Sequence, residues 1–204
     1  MKTANKPIIF ALCGKSASGK DSLAKWLYSD LQNRGVSVNL IVSDTTRPPR
    51  PGEIDGKDYN FLSKRDYFRK SHLESSEFRG WYYGTPADSI KPEVNIGVFN
   101  ADGIAALASF RRTYTIIPIL MTEKLTVRLR RSYWREKKWR LEFFRRAITD
   151  HFDFRRLEKH YLSFYHYLIR LDNVDGVIKK TASVYKWLEN NTEIAGQVYE
   201  KTLK

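Results

Sequence analysis

The sequence predicts an α/β fold: a parallel β-sheet flanked by helices. Three observations predict it. Short apolar runs alternate with helical spacings along the chain. The first apolar run ends in Gly14-Lys15-Ser16-Ala17-Ser18-Gly19-Lys20, a glycine-rich loop leading into a helix. The alternation is broken once, over 43–92, by a proline- and glycine-bearing stretch that reads as an inserted subdomain. The chain's 204 residues suit one domain. Its core is expected from 1–42, 93–127 and 160–190.

Taken in order, residues 8–12 form a short apolar run closed by glycine, a buried strand. Leu23, Leu27 and Leu31 then recur at helical spacing over 21–31, until Arg34-Gly35 stops the helix. Residues 36–42 read as a second strand. The insert holds turns, short strands and one helix near 64–72. Two further buried strands are expected at 95–99 and 113–120, with a helix at about 102–111 between them. Residues 123–165 read as helical, basic and aromatic, with a lid at 128–150. A last strand is expected at 167–171. An amphipathic helix follows over 174–189, carrying Val174, Val177, Ile178, Val184, Trp187 and Leu188. Residues 191–204 read as a loosely held tail.

Composition narrows the function. At 42% hydrophobic and 14% aromatic the chain has enough apolar content to fold, and no apolar run is long enough to span a membrane. Its formal charge of +13 points to polyanionic partners: nucleotides, nucleic acid or acidic lipid. Between Glu123 and His160 there are 13 Lys/Arg against 6 Asp/Glu, so about half the excess lies in one helical region. A single cysteine, Cys13, forms no internal disulfide and fits a reducing cytoplasm, packing as a small apolar residue. The four histidines show no zinc spacing.

The loop at 14–20 fits G-x4-G-K in the required context, after a strand and before a helix. Glycines let successive N–H groups turn inward, and the helix N-terminus adds positive potential. Gly14, Lys15, Ser16, Ala17, Ser18, Gly19, Lys20, Asp21 and Ser22 are therefore expected to hold a nucleoside triphosphate. Lys20 reaches its β- and γ-phosphates as a point charge. The position after the lysine usually offers a hydroxyl to Mg2+; here it is Asp21. A carboxylate is a hard oxygen ligand and suits the metal, while it equally suits an N-cap, with Ser22 then assisting the metal.

Residues 43–61 read SDTTRPPRPGEIDGKDYNF, and 77–85 read EFRGWYYGT. With the upstream loop, these segments resemble the guanylate kinase family, ATP-dependent nucleoside monophosphate kinases of the P-loop kinase fold. The resemblance implies a monophosphate-binding insert at 43–92 and a helical lid. It implies that Arg47 and Arg50 clamp the phosphate of GMP or dGMP, with Tyr59 and Tyr83 donating hydroxyls to it. Ser43, Glu74 and Thr85 are implied to bond the guanine edge. The chemistry agrees: guanidinium forks match phosphate oxygens, and a carboxylate accepts from guanine N1–H and its amino group. Pro48, Pro49 and Pro51 stiffen the clamp before it closes.

The pattern departs from the family at two places. The acidic pair usual after the next strand falls on Val98 and Asn100, leaving Asn100 to meet base or ribose. In the lid, Arg128 and Arg146 match the flanking arginines, and the middle one falls on Ser132. Arg131 or Arg135 takes its place on the same helical face. Lys20, Arg47, Arg128, Arg131 and Arg146 are thus the implied catalytic set, with Mg2+ on Asp21 and ATP as phosphoryl donor. Trp134 and Trp139 are expected to pack in the core or lid.

Three other readings compete. The form GKDSL at 19–23 is similar to ribose 1,5-bisphosphate phosphokinases. Non-catalytic guanylate kinase-like modules bind peptides, but have no need of a triphosphate loop. The basic aromatic stretch suits nucleic acid, which ranks behind nucleotides. No membrane partner is expected, and the chain is expected to be a monomer or homodimer.

Overall fold

The structure is a computed structural model. It describes residues 6–50, 52–78, 80–136, 141–174 and 176–199, and at 78, 135–136 and 141–146 the backbone alone. In chain order the elements are β1 (Ile8–Gly14), α1 (Lys20–Asn33), β2 (Val38–Leu40), β3 (Asp44–Thr45), β4 (Asn60–Phe61), α2 (Lys64–Arg69), β5 (His72–Phe78), β6 (Trp81–Pro86), β7 (Val94–Phe99), α3 (Ala101–Leu107), β8 (Thr115–Thr122), α4 (Leu125–Glu136), α5 (Leu141–His160), β9 (Ile169–Asp172), α6 (Val177–Asn190) and α7 (Thr192–Tyr199).

Every residue of β1 is buried, so the strand has no polar face and must lie inside the sheet. It does: the parallel sheet runs β2-β7-β1-β8-β9. Alternate side chains of β1 feed two helical layers. Ile8, Phe10 and Leu12 meet Leu23, Leu27 and Leu31 of α1 and Val184 and Leu188 of α6. Ile9, Ala11 and Cys13 meet Ile104 and Leu107 of α3 and Phe154 and Leu157 of α5. Strand order reverses at β1, which opens a crevice at the carboxyl ends of the strands. The glycine-rich loop leaves β1 at that point.

The insert folds as a separate four-stranded sheet, β4-β3-β6-β5. Its helix is shorter than the spacing predicts. Ser63 caps α2 by accepting the Asp66 N–H at 3.1 Å, and Lys70 turns extended at the other end. Residues 72–78 are thereby released to pair as β5, which carries Glu74 into the sheet. Helix α3 likewise ends at Leu107 and tightens into a 3-10 turn at Ala108–Phe110. Strand β8 starts and ends two residues later than predicted.

The loose tail expected over 191–204 is instead a helix over 192–199. Ile194 and Val198, four residues apart, are 1% and 0% exposed in the cluster that covers β1. Ala195 packs against the same cluster. Among the described residues, no helix is long and apolar enough to cross a membrane.

Because Ile194 sits in the central core, Ile194→Ala is expected to destabilise the chain by about 2–4 kcal/mol. Urea unfolding checks this; a loosely attached tail would leave the midpoint unmoved.

Candidate active site

The loop between β1 and α1 turns through positive φ at Ala17 (62°) and Gly19 (90°). Side chains other than glycine rarely adopt such angles, and Gly19 supplies the N-cap position of α1 with no side-chain cap. A Cβ at Gly14 would lie 2.4 Å from Ser18 Oγ and 2.9 Å from the Met121 carbonyl, so only glycine lets the loop close on β8. Lys20 is the first residue of α1, and Asp21 lies in its first turn, exposed. Since the cap position belongs to Gly19, the capping alternative for Asp21 falls away. The Ser18 hydroxyl is fully buried and has no hydrogen-bond partner among the described residues. Beneath the loop, burial pushes the Cys13 thiol up to about 12 despite the opposing Lys20 charge, so it stays protonated.

Three cations approach the outer side of this loop. Arg128 donates from Nε to the Ser16 carbonyl at 2.7 Å. Arg131 donates to the carbonyls of Ser18 at 3.1 Å and Ala17 at 3.4 Å. Lys180 of α6 donates to the Ser18 carbonyl at 3.0 Å. The first two sit three residues apart on α4, so Arg131 joins Arg128 at the loop while Ser132 turns inward and is buried. Asp150 of α5 pairs with Arg128 at 3.0 Å and accepts the Ser16 N–H at 2.6 Å. A loop N–H thus already holds a carboxylate. Burial pulls the Arg128 guanidinium below its ordinary range, and Asp150 opposes this. Lys15 lies over the Phe154 ring, 5.9 Å from its centroid. Arg146 belongs to α5, but its side chain, like those of Arg135 and Trp139, lies outside the described residues. Trp134 does not pack in the core: it is 69% exposed, touching Tyr133 edge-on.

The second site is built on the insert sheet. On β6, Tyr83 and Thr85 share a face, about 6–7 Å apart by strand rise. They pair with Ser76 and Glu74 of β5, and a bulge between His72 and Glu74 sets that register. The Thr85 hydroxyl donates to Glu74 Oε1 at 2.8 Å. Burial pushes the Glu74 carboxyl above its usual range, against the bonds from Thr85 that favour its charge. Asn100 caps α3, accepting the Gly103 N–H at 2.6 Å, and its amide donates to Ser76 at 2.9 Å. It stands beside Glu74 with its oxygen engaged as the helix cap. Ser43, just before β3, accepts the Asn60 N–H on its carbonyl at 2.9 Å.

Arg47, Tyr59 and Tyr83 converge at the other end of this face. The Arg47 guanidinium is 5.4 Å from the Tyr59 ring centroid, and the Tyr59 and Tyr83 rings meet edge-on at 6.1 Å. Burial pushes the Tyr59 phenol up to about 12, keeping it a donor, with the Asp21 charge adding to the effect. Sequence reasoning missed Glu53. Its carboxylate takes both terminal nitrogens of Arg47, Nη1 at 2.9 Å and Nη2 at 3.0 Å, and also the Arg50 N–H at 2.7 Å. Burial works against the Arg47 charge; Glu53 and Tyr83 outweigh it and hold the guanidinium above its ordinary range. Arg47 Nε remains buried without an acceptor among the described residues. Arg50 itself is exposed at the rim.

The two sites are tied together. Lys25 of α1 pairs with Asp58 of the insert at 3.1 Å, one residue from Tyr59. Among the described residues, no group of three His, Cys, Asp or Glu side chains forms a metal cage. Mg2+ needs none, since it binds through one or two carboxylates plus phosphate oxygens and water, and Asp21 fits that chemistry.

Comparison with known proteins places the chain in a family. The family model described as guanylate kinase matches residues 4–108. A guanylate kinase of Maricaulis maris is 41% identical over 113 residues, half of this chain and 49% of that protein. The chain thus spans about half the length of such relatives. A guanylate kinase of the Aster yellows witches'-broom phytoplasma is 29% identical over all of this chain and 97% of its own length. The crystal structure of guanylate kinase from Anaplasma phagocytophilum superposes with a TM-score of 0.61 at 22% identity, covering 92% of this chain and 87% of that one, which supports the fold. With the glycine loop, the insert and the family match in agreement, the chain belongs to the guanylate kinase family.

Proposed function

We propose that the chain transfers the γ-phosphoryl group of ATP to GMP or dGMP, giving ADP and GDP or dGDP. The Arg47 fork carries this reading. Glu53 occupies the edge formed by Nη1 and Nη2, which leaves the Nε–Nη2 edge for phosphate oxygens. That edge includes the buried Nε, which has no acceptor among the described residues, a donor whose desolvation cost a ligand would relieve. Tyr59 and Tyr83 flank it with O–H groups, and Arg50 adds charge from the rim. Further along the same face, Glu74 accepts from guanine N1–H and the amino group, which adenine cannot supply, and Thr85 and Ser43 complete the edge. Asn100 steadies β5 through Ser76.

Lys20 and the loop N–H groups hold the donor triphosphate. Arg128, Arg131 and Arg146 bring positive charge from the lid. Mg2+ would be held by Asp21, and it supplies neutralisation of charge on the β- and γ-phosphates. An oxygen of the acceptor phosphate attacks the γ-phosphorus as the bond to the ADP oxygen breaks. No side-chain nucleophile takes part, so the protein acts through alignment and electrostatics. Apposition of insert and lid excludes water, which would otherwise consume ATP.

The test offers ATP and Mg2+ with GMP, dGMP, AMP, CMP, UMP, dTMP or ribose 1,5-bisphosphate, following ADP release. Guanylate substrates are expected to exceed the others by at least about a hundredfold. Turnover of ribose 1,5-bisphosphate alone rejects the reading. Lys20→Ala is expected to lose about a hundredfold or more in kcat with the fold kept, by circular dichroism.

Glu74 gives a second, pH-linked outcome. Its folded carboxyl is raised, so the fold favours the protonated form. That stability is present below the unfolded carboxylate range and is lost as pH rises through the folded value. Glu74→Gln is therefore expected to melt higher than the parent at neutral pH, with the difference vanishing on acidification. The same variant is expected to lose its preference for guanine. A melting difference that is flat with pH would contradict the sign worked out here.

A further inference from the structure

Lys180 lies 162 residues from Ser18 in the chain, yet its ammonium is buried against the phosphate loop. It donates to the Ser18 carbonyl and, at 2.6 Å, to Glu123 Oε1. The Lys180 and Glu123 side chains are each 3% exposed. Arg131 shares both partners, lying 3.4 Å from Glu123 and 3.1 Å from the Ser18 carbonyl. Both cations also crowd the residue before Lys20. A Cβ on Gly19 would meet Arg131 Nη1 at 3.6 Å and Lys180 Nζ at 3.7 Å.

Packing does not account for this. Burying an ammonium and a carboxylate carries a desolvation cost that an apolar pair of the same volume avoids, so α6 would dock on α1 without them. The distinctive feature is the acceptor. In a trans peptide the carbonyl and the following N–H point in opposite directions. The Ser18 carbonyl and the Gly19 N–H belong to one such unit. A cation holding the carbonyl from outside therefore aims the N–H inward, and polarises it as a donor.

We propose that Lys180 is a positioning residue of the donor site: it holds the Ser18 carbonyl so that the Gly19 N–H faces the triphosphate, and Glu123 keeps Lys180 and Arg131 in place. The proposal rests on the loop being a nucleotide site. It names a residue of α6 that acts on the site through the backbone.

The experiment measures ATP affinity by calorimetry with Mg2+ and no acceptor, GMP affinity separately, KM and kcat for each substrate, and thermal melting. The variants are Lys180→Met, Lys180→Arg and the double variant E123Q/K180M, which removes the orphaned carboxylate and keeps the test open if the single variant does not fold. ATP affinity is expected to weaken roughly tenfold in the folded methionine variants, the scale of one charge-assisted hydrogen bond. KM for ATP is expected to rise in step, GMP affinity to hold within about twofold, and arginine to restore most of the loss. Wild-type ATP affinity in the double variant overturns the proposal, as does equal weakening of ATP and GMP accompanied by a lower melting point. A parent chain that binds no ATP overturns the donor site itself, and the role of Lys180 with it.

Discussion

A planar peptide cannot turn its N–H inward without turning its carbonyl outward, and the glycine-rich loop lives under that constraint. The positive φ angles at Ala17 and Gly19 direct the loop's carbonyls outward, into space where buried acceptors need donors. This chain meets the need with cations. Arg128 takes the carbonyl of Ser16, Arg131 those of Ala17 and Ser18, and Lys180 that of Ser18. Positive charge from α4 and α6 is therefore turned partly onto the backbone, and the loop acquires a layer of charge behind its donors. Carboxylates hold that layer in turn: Asp150 beside Arg128, and Glu123 between Arg131 and Lys180.

The insert meets a parallel problem with different parts. One end of its sheet holds the Glu74 carboxylate half-buried, and the other holds the Arg47 guanidinium. Close packing fixes the first. A Cβ at Gly84 would strike the Tyr67 hydroxyl at 2.4 Å and the Glu74 carbonyl at 2.8 Å, so only glycine at this position lets β6 pack so closely under Tyr67 and beside β5. His72 stacks on Tyr67 with ring centroids 4.2 Å apart and bonds to buried Asp44 at 3.1 Å, anchoring the strand two residues before Glu74. For the guanidinium, Glu53 and the Tyr59 ring hold Arg47 from two directions.

Much of this was legible in the sequence because it is written in local signals. The strand–glycine loop–helix unit, the apolar strands and the spacing of Leu23, Leu27 and Leu31 all follow from neighbours in the chain. The segment 43–61 carries Arg47 and Tyr59 in a pattern too long to be incidental. What was not legible depends on distant partners. Lys180 looks like one more solvated lysine in α6, and Glu123 like a loop acid, until the fold brings both to Ser18. Trp134 looked like packing material, and only the geometry of α4 sets it outside. Ile194 and Val198 were hidden because a stripe of only two turns is too short to distinguish from a frayed end. Glu53 could have been found: it lies three residues after Arg50 in a proline-bound turn, where its carboxylate can reach few cations other than Arg47.

The internal carboxylates separate the two sites physically. At Arg47 the carboxylate and the proposed phosphate use different edges of one guanidinium, so Glu53 can stay in place and keep the fork aligned while the other edge fills. At the loop there is no second edge. A single Ser16 N–H is held by Asp150, and a phosphate oxygen taking that donor has to displace the carboxylate or share it. A phosphate carries more charge than a carboxylate, and Lys20 favours it further, so the exchange runs toward the ligand. Asp150 lies on α5 and its partner Arg128 on α4, so such an exchange acts on these helices as well as on the loop. On the proposed function, the acceptor side is organised before its ligand arrives, whereas at the loop a ligand that takes the Ser16 N–H must first draw it from Asp150, and the difference lies in whether the carboxylate and the ligand use separate donors or the same one.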